Sequence, residues 1–181
     1  MKISNDASFS LDSYDIRLLA ALQKDAFATH QALGMDIHLS ASQVSRRVQR
    51  LQEVGLIARY VALLDPQALG LGVRAVSYVT LIRHGGDEGR IFEQEIKNIP
   101  EVLDCYAVAG ESDYVLQIVA TDLQALSETV LRRLTRILGV GSIRSNVVLT
   151  CVKASTQLPL SHLGMETSIS RKTFHYVSNH N

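Results

Sequence analysis

"LSASQVSRRVQRLQEVGLI", residues 39–57, places three arginines within five positions of a chain whose 18 basic and 18 acidic residues cancel. Ser40 is a favourable N-cap, and Gly55 suits a C-terminal stop, so the stretch predicts a helix running to about Val54. Val44, Val48 and Leu51 recur at i, i+4 and i+7 and define its buried stripe. At about 100° per residue, Ser42, Gln43, Arg46, Gln49 and Arg50 fall on the opposite face, and Arg47 lies at the flank. Small polar residues at the start and arginines further along suit a helix that enters the DNA major groove. Guanidinium forks match guanine edges and phosphates bidentately, which lysine cannot do. The candidate DNA contacts are Ser42, Gln43, Ser45, Arg46, Arg47, Gln49 and Arg50, with Arg59 just beyond the helix. The competing reading is an ordinary solvated helix face, and the flanking sequence decides between the two.

Upstream, "LDSYDIRLLAALQKDA" (residues 11–26) offers Asp12 as N-cap and Asp15 in the place of the usual capping-box glutamate. Ile16, Leu19 and Leu22 then give helical spacing over residues 13–24. "THQALGMDI" (29–37) is a weaker helix, because Gly34 costs about 1 kcal/mol relative to alanine. Downstream, "GLIARYVALLD" (55–65) alternates apolar and polar residues and reads as a strand or wing carrying Arg59. Three short helices, a tight turn before the third, a basic outer face and a wing form a winged helix-turn-helix. DNA binding is therefore preferred over the solvated face.

Charge divides along the chain in a way that supports a local patch. Residues 1–64 hold seven Lys/Arg against six Asp/Glu, and residues 65–157 hold nine against eleven. Between residues 40 and 60, four arginines face only Glu53. A positive cluster in a neutral chain marks a defined interface, not general polyanion binding. With 46% hydrophobic and 20% charged residues, the chain can build a real core. No apolar run is long enough to span a membrane. The start, "MKISNDASFS", lacks the apolar segment of a secretory leader, so a cytoplasmic protein is expected. Cys105 and Cys151 are too few and too distant for a disulfide framework, and both sit in strand-like segments expected to bury reduced thiols.

After the connector "LDPQALGLG" (64–72) the periodicity changes. "GVRAVSYVTLI" (72–82) reads as a strand, and residues 88–98 as a helix with Ile91, Phe92 and Ile96 on one side, stopped by Pro100. "EVLDCYAVA" (101–109) and "DYVLQIVAT" (113–121) are strands joined through "GESD". Asp122 caps the helix "LQALSETVLRRLTRIL" (123–138), and "SIRSNVVLTCVK" (142–153) is the last strand. The order β-α-β-β-α-β is the ferredoxin-like unit, with two helices on one face of a four-stranded antiparallel sheet. Val76, Tyr78 and Ile82 make the other face apolar as well, which predicts a homodimer. The fold class is α+β. Residues 1–64 form the DNA-binding domain, 65–157 the ferredoxin-like oligomerisation domain, and 158–181 a polar tail without sustained period. That tail is expected to be disordered or to fold on a partner. His162, His175 and His180 lack metal-ligand spacing.

Taken in order, "LDSYDIRLLAALQKDA", "LSASQVSRRVQRLQEVGLI", "ALLDPQALG", "VAGESDYVL" and "SIRSNVVLTCVK" resemble the Lrp/AsnC family of feast/famine transcriptional regulators over residues 11–153. The resemblance implies a winged helix-turn-helix followed by a RAM-type regulatory domain, and so adds effector binding to residues 65–157. It also implies dimers that associate further, to tetramers or octamers, and an amino acid or related small-metabolite effector bound at contacts between dimers. The family's effector turn, Gly-x-aromatic-Asp-aromatic, corresponds to Gly110, Glu111, Ser112, Asp113 and Tyr114. Its Thr-x-Thr pair corresponds to Ile143, Arg144 and Ser145. Gly110 and its exposed amides suit a carboxylate, Asp113 an ammonium group, and Ser145 supplies a hydroxyl. Ser112 in place of an aromatic residue and Ile143 in place of a hydroxyl alter the pocket's selectivity.

The expected function is sequence-specific regulation on double-stranded DNA, tuned by a small metabolite. No catalytic set, cofactor or metal site is assigned. The alternatives are an enzyme on the same fold, since siroheme decarboxylases resemble this family, and an effector-binding module without DNA binding.

Overall fold

The computed structural model describes residues 9–82, 87–164 and 166–169. These fall into two compact units. Of the described residues, one takes in 9–62 together with 154–164 and 166–169, and the other 63–82 and 87–153.

The first unit opens with strand β1 (Phe9–Asp12), followed by helices α1 (Ser13–Lys24), α2 (His30–Ile37) and α3 (Ala41–Glu53). The Asp12 side chain accepts the N–H groups of Tyr14 and Asp15, and Asp15 returns the bond to the N–H of Asp12, so the expected capping box is complete. Ser40 and Gln43 close the start of α3 in the same reciprocal way. Leu18, Leu33, Ile37, Val44, Val48 and Leu51 form the core beneath the three helices, with Leu11 of β1 fully buried among them. On α1 it is Leu18 that is fully buried, while Ile16, Leu19 and Leu22 pack at its margin. The turn between α2 and α3 is tight: Leu39 N–H donates to the Gly34 carbonyl at 2.9 Å. A Cβ on Gly34 would overlap the Leu39 carbonyl oxygen. Gly34, read from sequence as a weakness in α2, is what lets the two helices meet.

Two expectations for this part of the chain are corrected. Residues 58–65 form no strand. An alternating segment makes a ladder only with an adjacent backbone edge, and among the described residues none lies beside it. The two-stranded sheet of this unit is built elsewhere, by β1 and β6 (Glu166–Ile169) in antiparallel register, Phe9 opposite Ile169 and Asp12 opposite Glu166. The described part of the tail therefore returns to the helices, while residues 170–181, with His175 and His180, lie outside the described residues.

The second unit contains β2 (Val73–Leu81), α4 (Asp87–Ile96), β3 (Val102–Ala107), β4 (Tyr114–Ala120), a π-helical stretch (Ala125–Leu131) that runs into α5 (Arg132–Thr135), and β5 (Val140–Val147). The sheet order is β3-β4-β2-β5 and all pairs are antiparallel, as the ferredoxin-like reading requires. Phe92, Ile96, Leu126, Val130 and Leu134 pack on Ala75, Val79, Leu116 and Ile118, so both helical segments cover one sheet face. Each such fully buried side chain contributes roughly 1.5–3 kcal/mol. The opposite face carries Val76, Tyr78 and Val115, all half-buried, and among the described residues the helices of this unit pack on the other side.

β5 ends at Val147, short of the predicted Lys153. Its neighbour β2 begins at Val73, and the last ladder bond runs from Val148 N–H to the Arg74 carbonyl. Beyond that point there is no strand left to pair with. Cys151 is consequently exposed, against the expectation of burial, whereas Cys105 is half-buried. Burial, and secondarily the charge of Glu93, push the Cys105 thiol up to about 11. Among the described residues no helix is long and apolar enough to cross a membrane.

Candidate DNA-reading helix and effector turn

The arginines of α3 occupy two different states. Arg47 Nη1 lies 2.8 Å from Asp12 Oδ2 and 2.7 Å from Asp15 Oδ1. Arg50 Nη2 donates to the other oxygen, Asp15 Oδ2. Asp15 is fully buried, and a carboxylate at that depth is tolerable only because two guanidinium groups and the Asp12 N–H satisfy it. Aromatic faces complete the arrangement, with Arg47 5.5 Å from the Tyr14 ring centroid and Arg50 4.9 Å from that of Phe9. Burial alone would raise the Asp12 carboxyl, but the Asp15 N–H and the Arg47 guanidinium outweigh it and hold Asp12 below its usual value. For Arg47 burial acts downward, and its bonds to Asp15 and Asp12 raise it above an already high value. It is a permanent cation.

Arg46 is different: it is exposed and makes no ion pair among the described residues. The helical wheel groups Arg46 with Arg50, and both are exposed, but their partners differ. Arg50 is drawn toward α1 by Asp15, a partner invisible to a wheel drawn on α3 alone, although its side chain is still 44% exposed. Asp15 was legible in one respect. It shares a helical stripe with Leu18 and Leu22, and an acid on an apolar stripe next to an arginine-rich helix calls for a cationic partner.

The remaining candidates are placed as follows. Ser42 is exposed, its hydroxyl 3.1 Å from that of Ser40. Gln43 Oε1 accepts the Ser40 N–H at 2.9 Å, so this side chain closes the helix start. Gln49 donates to Glu53 at 2.9 Å. Ser45 and Gln49 line an open groove of about 310 Å³ with Leu22, His30, Val48 and Tyr60. Arg59 is exposed in the extended segment after α3.

The effector turn joins β3 to β4. Gly110 has φ +155°, an angle that side-chain-bearing residues rarely adopt, and open space where a Cβ would stand. Glu111 is exposed, 3.5 Å from Arg144 across the surface. The inner residues have structural partners. Asp113 N–H donates to the Val79 carbonyl at 2.9 Å, and Asp113 Oδ2 accepts the Leu81 N–H at 2.7 Å. Tyr114 is buried with its ring 4.6 Å from Phe92 and its hydroxyl donating to Glu93 at 3.0 Å. Burial first, then that bond to a carboxylate, push the phenol up to about 12. Ser112 is also buried. Ser145 shares a 2.7 Å hydrogen bond with the buried Ser77, its partner in register on the helix-covered side. The Ser145 hydroxyl is thus engaged by Ser77, and the exposed groups at the turn are Gly110, Glu111 and Arg144.

Comparison with known proteins now decides the family. The profile described as AsnC-type helix-turn-helix domain matches residues 11–52, and that described as Lrp/AsnC ligand binding domain matches residues 74–158. The DNA-binding transcriptional activator DecR of Escherichia coli is 31% identical over 150 residues, 83% of this chain and 99% of that protein. The chain belongs to the Lrp/AsnC family. The Bkd operon transcriptional regulator of Pseudomonas aeruginosa is 34% identical over 83% of the chain and 98% of its own length. Among solved structures, a transcriptional regulator of Neisseria meningitidis in complex with L-methionine is similar at a TM-score of 0.81. It is 38% identical, over 84% of this chain and 99% of that one. A feast or famine regulatory protein of Mycobacterium tuberculosis complexed with L-methionine has a TM-score of 0.74 and 31% identity, over 82% and 98%. The chain is thus a Lrp/AsnC-type DNA-binding transcriptional regulator, with its helix-turn-helix in the first unit and the family's ligand-binding fold in the second.

Proposed function

We propose that the protein is a homo-oligomeric, cytoplasmic, non-enzymatic regulator that reads DNA through the outer face of α3 and whose assembly or affinity responds to an amino acid or related metabolite. The observation that carries the DNA reading is the division of labour among the arginines. Among the described residues Arg46 is exposed without an ion-pair partner, while Arg47 and Arg50 are held in fixed orientations by Asp15. A guanidinium fixed beforehand loses less freedom on binding than a mobile one. Ser42, Arg46 and Gln49 then face the base edges. Arg47, the exposed part of Arg50 and Arg59 serve the backbone, and Ser45 and Gln43 support the helix.

Arg46→Ala is expected to cost ~1–3 kcal/mol at one base position if the contact is bidentate, or to weaken all sequences alike if it is a phosphate contact. Binding is measured against duplex DNA selected by the protein from a random library. An unchanged affinity and salt slope would remove Arg46 from the interface.

For the effector, the surface-facing Gly110, Glu111 and Arg144 supply an amide, an acid and a base suited to the two charges of an amino acid. The inner oxygen of Asp113 is already bonded to the Leu81 N–H. A ligand at this turn needs a second wall, which another subunit of the oligomer would supply. Two solved relatives hold L-methionine, which makes it the first compound to titrate. Calorimetry over the common amino acids tests the reading, with Glu111→Ala and Arg144→Ala expected to weaken the response. If no amino acid binds below millimolar concentration, the turn has only a structural role.

A further inference from the structure

β6 lies outside both stretches matched by the family, yet it is built into the DNA-binding unit. The segment leading to it is anchored at three places. Leu158 N–H donates to Gln23 Oε1 at 2.6 Å, and Gln23 Nε2 donates back to the Leu158 carbonyl at 3.2 Å. Gln157 Nε2 reaches the Gln23 carbonyl at 3.4 Å. Leu163 packs, partly buried, against the core beneath the three helices. The third anchor is the ladder itself, in which Ser168 faces Ser10 and Thr167 faces Leu11.

The strand thus paired is the one that governs the arginines. Leu11 is fully buried in the core, Asp12 caps α1 and pairs with Arg47, and the Phe9 ring lies against the Arg50 guanidinium. Four residues at the edge of a domain do not hold an extended conformation unaided. Among the described residues, β6 is the only strand that pairs with them.

We propose that the segment from Ala154 to Ile169 is a positioning strap for the DNA-reading helix. By pairing with β1 it fixes Phe9 and Asp12, and through them Arg47 and Arg50. Without the strap β1 frays, the two arginines keep Asp15 but lose Asp12 and the Phe9 ring, and the rotamer freedom they regain opposes DNA binding. The inference rests on the assignment of α3 as the reading helix.

The test compares the full-length protein with two double variants. Thr167→Pro with Ser168→Pro removes both candidate ladder N–H groups, because successive residues point opposite ways and one of the two must face β1. Thr167→Val with Ser168→Val keeps the N–H groups and the strand propensity. Amide hydrogen exchange is followed across β1 and α3, together with affinity for a duplex selected from a random library and for random DNA. The proline variant is expected to lose protection in Ser10–Asp12 while α3 stays protected. Its affinity for the selected duplex should fall roughly fivefold or more, the cost of ordering two long side chains, with a comparable loss on random DNA because both arginines serve the backbone. The valine variant should match the parent. Unchanged protection of β1, or lost protection with unchanged affinity for both DNAs, overturns the proposal. Lost protection throughout α3 also overturns it, since the segment would then be a general stabiliser. Failure of the α3 assignment shows separately, as Arg46→Ala binding like the parent while the exchange result stands.

Discussion

Asp15 is the residue on which the reading surface turns. It is a buried carboxylate whose two oxygens face Arg47 and Arg50, and whose own helix it also helps to cap. Removing one member of a buried ionic set leaves the others uncompensated. Here both arginines can swing into water, so Asp15→Ala is expected to cost ~2–3 kcal/mol of stability, below the usual range for a fully buried pair. Thermal unfolding of the full-length protein measures it. Affinity for the selected duplex should fall as well, because Arg47 and Arg50 lose their fixed orientation. Asp12 gives a pH prediction. Its carboxyl is held below its usual value in the folded state, so its contribution is complete above the unfolded value, near pH 4, and is lost as pH falls through the folded one. Asp12→Asn keeps an N-cap but removes the charge. It should flatten the acid side of the melting-temperature profile below about pH 5 and leave the profile above it parallel to the parent's. A variant that melts in acid like the parent would show that Asp12's charge is not linked to folding.

At the scale of the element, propensity and packing disagree at Gly34. Alanine is the better helix former by about 1 kcal/mol, yet its Cβ would overlap the Leu39 carbonyl oxygen, a backbone atom that cannot rotate away. Packing wins. Gly34→Ala is expected to destabilise the DNA-binding unit by about 1–3 kcal/mol, in the range of overpacked cores. An increase in melting temperature would mean the α2–α3 turn is looser than the structure has it. The same contest explains the elements the sequence misplaced. Residues 58–65 and 149–153 have strand-like alternation, but a strand needs an adjacent edge, and β2 is too short to serve the end of β5. Cys151 is exposed for that reason. Conversely, residues 166–169 have no strong pattern and become β6 because β1 offers an open edge.

On the scale of the whole molecule, the described helices of the second unit cover one face of its sheet and leave the other. Val76, Tyr78 and Val115 lie half-buried on the open face, and an apolar surface of this kind is covered in solution by another surface. The full-length protein is expected to sediment as a dimer or larger at micromolar concentration. Val76→Lys with Tyr78→Glu, which leaves the helix-covered core untouched, should shift it toward monomer. If that variant keeps the parent's mass, the subunits associate through another surface.

The sequence alone carried the order of the three helices, the capping residues, the buried stripe of α3 and the β-α-β-β-α-β order that follows. All of these depend on neighbours within a few positions, and periodicity and capping chemistry encode them locally. It also carried the family resemblance, which the comparisons bear out. What tertiary structure decided depends on residues far apart in the chain. Arg50 belongs with Asp15, 35 positions earlier. Ser145 is bonded to Ser77, 68 positions earlier. Leu158 is bonded to Gln23 across 135 positions. A charged or hydroxyl side chain has several candidate partners in any sequence. Only the folded chain, by burying one of the two groups, settles which of them it must have.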